Sequence, residues 1–227
     1  MLIFWDIDGT LMYCGSDGTT ALNQTFAQLY NIDDAFYKVG IGNSMDSMIL
    51  QKIMTKFRIP AEELDNIKSA FVRQLETVLK NDHDKKVLPG IRELIFYAER
   101  NGHVNSLLTS NMKVGAQSKL RSVNLDGHFV GGGFGDDSGE KWDIAKHAQN
   151  EIEKITKQSF RPEDVILIGD SIYDIKTARN LGYNIISVAT GWTPKGNLEE
   201  ADPDVLFDNL GDTDAVTDVI SRMAKGE

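Results

Sequence analysis

The chain has 227 residues, 41% of them apolar and 26% charged, and a formal charge of −10 from 24 Lys and Arg against 34 Asp and Glu. That length holds one large domain or two modest ones. The acidic balance argues against a nucleic-acid binder, which needs a basic surface, and a single cysteine, Cys14, excludes an internal disulfide.

No apolar run approaches the length of a membrane span, and no basic-flanked leader opens the chain. The expectation is a cytoplasmic protein with no membrane partner. A small phosphorylated substrate is compatible with the charge, because one local site or a bound cation reverses its sign.

The chain opens on the apolar run "LIFW" (2–5), followed at once by "DIDGT" (6–10). Continuous apolar runs fit strands buried on both faces of a parallel sheet. From residue 16 to about 84 the rhythm is helical with no strand between. Leu22, Phe26 and Leu29 form one stripe. Met45, Met48, Ile49, Ile53 and Phe57 form a second, behind a candidate N-cap at Ser44. Leu64, Ile67, Phe71, Leu75 and Val78 form a third, with Pro60 at its start. This segment reads as a helical insert with polar, glycine-containing flanks.

After it, "PGIRELIFYAERNG" places Ile91, Leu94, Ile95 and Ala98 on one helical stripe, with Gly102 as its stop. The runs "VNSLL" (104–108), "DVILIG" (164–169), "NIISVA" (184–189) and "DVLF" (204–207) follow as strands. "SIYDIKTARNLG" and "DTDAVTDVISRM" supply further helices. Strand alternating with helix predicts an α/β fold: a doubly wound, Rossmann-like parallel sheet core with an inserted α-helical cap domain. The core comprises residues 1–15 and 85–227, and the cap 16–84.

In such a sheet, ligands sit beyond the carboxyl ends of the strands. The predicted rim therefore gathers Asp6, Asp8, Thr109, Ser110, Asp170 and Asp174. An aspartate at a strand-to-helix turn is ordinarily a cap. Capping does not account for a carboxylate at the end of a buried strand with a second one two residues on. Several carboxylates in one crevice repel one another unless a cation lies among them, and hard oxygen ligands suit Mg²⁺.

The ordered set "DIDGTL", "LLTSN", a lysine before a helix, and "GDSIYD", with "LPGIREL" ahead of the second, resembles the haloacid dehalogenase-like hydrolases. Within them it is similar to the phosphoglycolate-phosphatase-like branch with a helical cap. The resemblance implies that Asp6 is the nucleophile, forming an aspartyl-phosphate. Asp8 is the general acid and base, and offers Mg²⁺ only its backbone carbonyl. Thr109 and the amide of Ser110 hold the phosphoryl group, with Asn111 beside them. Asp170 completes the Mg²⁺ shell, and Asp174 supports it from a second position.

The lysine of the third motif falls on Lys141, with Lys146 as the alternative, since no lysine-proline pair occurs. In the true dehalogenases the residue two after the nucleophile is not acidic, so Asp8 points to phosphate esters. The loop "VGIGNSMD" (39–46), with Asn43, is the candidate for substrate contact; as a plain loop it would serve only to cap the next helix. Cys14 reads as a small buried hydrophobe, and the scattered histidines take no role. The leading expectation is an Mg²⁺-dependent phosphatase on a small phosphomonoester. A sugar phosphomutase, or a regulator that only holds phosphate, are the alternatives.

Overall fold

The structure is a computed structural model describing residues 1–40, 44–81, 85–136 and 139–226. Its first strand, β1 (Leu2–Trp5), has every residue fully buried. Side chains of a strand alternate in direction, and here they feed two cores. Leu2 and Phe4 pack with Ile144 of α7 (Lys141–Thr156) and Ile175 of α8 (Ile172–Leu181). Ile3 and Trp5 face the other core, with Leu94 of α5 (Ile91–Arg100) and Val216 of α10 (Thr213–Lys225). Burial on both faces explains why β1 reads as an unbroken apolar run.

Around β1 lie β4 (Val104–Leu108), β5 (Gly132–Gly133), β6 (Val165–Gly169), β7 (Asn184–Val188) and β8 (Val205–Phe207). The sheet order is β5-β4-β1-β6-β7-β8, and every pairing is parallel. The chain builds outward from β1 on one side and then crosses to the other. The topological switch point is therefore β1 between β4 and β6, where a ligand crevice belongs. Trp5 pairs with Leu107 and with Ile168, so the three strands end within one residue of one another. The Asp6 amide donates to the Ile168 carbonyl at 3.0 Å, carrying the ladder one residue further and fixing Asp6 on the rim.

The sequence did not signal a two-stranded antiparallel ribbon, β2 (Met12–Tyr13) with β3 (Lys86–Val87), which joins the outgoing and returning chain. Between them stand α1 (Asp17–Tyr30), α2 (Ala35–Val39), α3 (Asp46–Phe57) and α4 (Leu64–Asn81). Two expectations for α3 need correction. Its N-cap is Met45, not Ser44, and Met48 is 46% exposed rather than in the stripe. A side-chain cap is unnecessary because the first amides of α3 bond to the core: Asp46 donates to the Ser110 carbonyl at 3.0 Å and Ser47 to the Gly135 carbonyl at 3.2 Å. Among the described residues no helix is long and apolar enough to cross a membrane.

Candidate active site

Three carboxylates meet at the switch point. Asp6 follows β1, Asp170 follows β6, and Asp174 lies in the first turn of α8, each with an oxygen within 4.8 Å of the others. Ser171, the N-cap of α8, fixes Asp174 through a capping box: its hydroxyl donates to Asp174 Oδ2 at 2.6 Å and accepts from the Asp174 amide. Asp170 Oδ1 accepts from the Thr10 hydroxyl at 3.3 Å. Glycines make room for this group. A Cβ on Gly191 would lie 1.5 Å from Asp170 Oδ2, and one on Gly169 would lie 2.3 Å from Asp174 Cγ.

Lys141, buried at the start of α7, donates to Asp174 Oδ1 at 2.6 Å and stands 3.6 Å from Asp6 Oδ1. Lys146 is exposed on the same helix. Burial raises Asp6 to about 6; Lys141 opposes this, and Asp174 and Asp8 add to it by repulsion. Burial raises Asp170 well above the usual carboxylate range; Asp6 and Asp174 add to this by repulsion, and Lys141 opposes it. Three hard oxygen donors that repel one another form a donor set suited to Mg²⁺.

The Asp8 carboxylate is outside that set. It accepts from Lys119 Nζ at 2.6 and 2.8 Å, from Asn111 Nδ2 at 2.7 Å and from the Cys14 thiol at 3.0 Å. Burial pushes Asp8 up, but the Lys119 charge and these hydrogen bonds outweigh it and hold the group below its ordinary value. The backbone carbonyl is thus the only atom of Asp8 left for the metal role the resemblance implies. Lys119 is 4% exposed in α6 (Lys113–Ser122), and sequence reasoning missed it. A signal existed: position 119 adjoins the apolar stripe of Met112, Ala116, Leu120 and Val123, where a lysine is out of place.

Thr109 is buried just past β4, its hydroxyl accepting from Asn111 Nδ2 at 2.8 Å. A cleft of about 130 Å³ is lined by Asp6, Thr109, Ser110, Lys141, Asp170 and Trp192. A second space, of about 230 Å³, lies between the helical insert and the core and shares Asp8, Ser110, Asn111 and Trp192 with the first. The structure thus brings the predicted rim together. Asn43 lies outside the described residues.

This site at the switch point of a parallel sheet, with a helical insert above it, defines a doubly wound α/β protein with its ligand crevice at the strand ends. The profile described as haloacid dehalogenase-like hydrolase matches residues 3–188, and the chain belongs to that family. It is similar to a phosphoglycolate phosphatase of Agrobacterium fabrum, 27% identical over 92% of this chain and 88% of that one. It is also similar to the pyrophosphatase PpaX of Bacillus mycoides, 24% identical over 92% and 93% of the two chains. Among solved structures, CbbY of Rhodobacter sphaeroides in complex with xylulose-(1,5)bisphosphate superposes with a TM-score of 0.68 at 21% identity, over 92% and 94% of the chains. That last likeness concerns the fold.

Proposed function

We propose that this chain is an Mg²⁺-dependent phosphatase that hydrolyses a small phosphomonoester through a phosphoryl group carried on Asp6. In this reading residues 16–84 are a helical cap and residues 1–15 with 85–227 the core. The observation that carries it is Asp6 at the end of β1, facing Lys141 Nζ at 3.6 Å and grouped with Asp170 and Asp174. The similarity to phosphoglycolate phosphatases and to PpaX supports a phosphorylated substrate.

Bound Mg²⁺, held by Asp6, Asp170 and the Asp8 carbonyl with Asp174 behind them, would neutralise phosphoryl charge. Asp6 Oδ attacks phosphorus while the ester P–O bond breaks, and Asp8 delivers a proton to the leaving oxygen. Water then attacks the phosphorus on Asp6, Asp8 takes the water's proton, and inorganic phosphate departs. Thr109 and the Ser110 amide orient the phosphoryl oxygens, and Lys141 balances their charge. Lys119 holds Asp8 as the carboxylate, the form the second step needs; for the first step Asp8 takes up a proton on one carboxyl oxygen while the other keeps its bond from Lys119.

The test is a panel of phosphate esters with Mg²⁺, assayed on the wild type and on Asp6→Asn. The variant is expected to lose nearly all phosphate release; wild-type rates in the variant on every ester would refute the assignment. Phosphorus NMR of the products distinguishes hydrolysis, which yields free phosphate, from isomerisation of the ester.

A further inference from the structure

The 230 Å³ space beyond Asp8 has a composition that the phosphatase reading leaves unused. One wall is apolar and comes from four separate helices: Leu22 of α1, Phe36 of α2, Leu50 of α3 and Phe71 of α4. Trp192 lines both this space and the phosphoryl cleft, yet is 70% exposed. A large aromatic left open at the junction of two cavities is an unfilled contact surface, since rings of this size gain most from being covered.

Among the described residues, the charged groups lining the space are Asp8, Asp46 and Lys119, formally one negative charge in excess. Lys119 has no donor to spare. An ammonium offers three N–H bonds, and its three acceptors are Asp8 Oδ1, Asp8 Oδ2 and Asn111 Oδ1, all within 2.8 Å. Among the described residues lining the space, an anionic group would meet no cation but the engaged Lys119 and would face Asp46, at the cost of burying an unpaired charge. At about 230 Å³ the space is larger than a two-carbon acid fills.

We propose, resting on the phosphatase reading, that the leaving alcohol of the substrate is uncharged and ring-sized. Its apolar face packs on Leu22, Phe36, Leu50 and Phe71 and reaches Trp192. These residues set specificity against esters whose alcohol carries a carboxylate, phosphoglycolate among them.

Two measurements test it separately from catalysis. Calorimetric titration in Mg²⁺ compares phenethylphosphonate with carboxyethylphosphonate, neither of which can be hydrolysed. The first is expected to bind at least tenfold more tightly, and Trp192→Ala, at an exposed position that should not disturb folding, to erase most of that margin. In turnover, benzyl phosphate is expected to exceed phosphoglycolate at least tenfold in kcat/KM. Equal or reversed affinities, binding of neither phosphonate, or a preference for phosphoglycolate overturns the proposal. Tight phenethylphosphonate binding with no ester hydrolysed would uphold this pocket assignment and refute the phosphatase reading instead.

Discussion

The residue with most leverage on Asp8 is Lys119. It is buried, while Asp8 is 36% exposed at its side chain, so the pair is only partly shielded from solvent. Replacing Lys119 by Met leaves Asp8 with two of its donors, Asn111 and Cys14. The expected cost is about 1–3 kcal/mol of stability, below the figure for a fully buried pair, together with at least a tenfold loss of phosphate release. Thermal unfolding and a steady-state assay check both, and a variant with neither change would remove Lys119 from the account. Gly191 has comparable leverage on Asp170. A methyl group there collides with Asp170, so Gly191→Ala should weaken Mg²⁺ binding at least tenfold in calorimetry while the far-ultraviolet circular dichroism stays that of the wild type. Unchanged affinity would mean that Asp170 is not a ligand.

At the scale of elements, the N-terminus of α3 is clasped to the core. Beside the two amide bonds described above, the Asp46 carboxylate accepts from the Met112 amide at 2.9 Å, at the start of α6. Burial raises Asp46 from 3.8 to about 6; the Met112 bond and Lys119 oppose the shift, and Asp8 and Asp136 add to it. A raised carboxyl pKa means that the folded state binds the proton more tightly than the unfolded one. The stability this proton provides is complete below the unfolded value and is lost as pH rises through about 6. Denaturant unfolding should therefore show wild type losing stability relative to Asp46→Asn between about pH 4 and pH 6; a constant difference across that window would contradict the burial of this group. The elements themselves differed in legibility. β1 and β6 are continuous apolar runs, and α5 and α10 carry clean stripes, so periodicity identified them. β5 is a pair of glycines whose pairing with Leu107 and Leu108 is set by the neighbouring strand, not by any local pattern. The ribbon of β2 and β3 is two residues on each side, and the five-residue α2 is too short for a stripe to register.

For the whole molecule, the order of strands converts residues remote in sequence into one rim. Asp6, Thr109 and Asp170 follow β1, β4 and β6, which are neighbours in the sheet. Recognising strands that end in polar groups was enough to place these residues, because parallel topology brings such ends together. Lys119 and the open Trp192 were not legible, since their roles depend on how a helix and a loop pack over the rim. A cation bound only by the folded rim stabilises by mass action, by about 2.7 kcal/mol at one hundred times its dissociation constant. Mg²⁺ should therefore raise the unfolding temperature of the wild type and leave Asp170→Ala unmoved; equal shifts in both would place the ion elsewhere. The central claim is that the phosphoryl group passes through Asp6. Its most direct test is to quench the working enzyme in acid during turnover of a phosphate ester with Mg²⁺ and to map the chain by mass spectrometry. The account predicts a phosphoryl adduct on the peptide bearing Asp6, absent from Asp6→Asn. Sustained phosphate release with no adduct, or with the adduct on another residue, would contradict it.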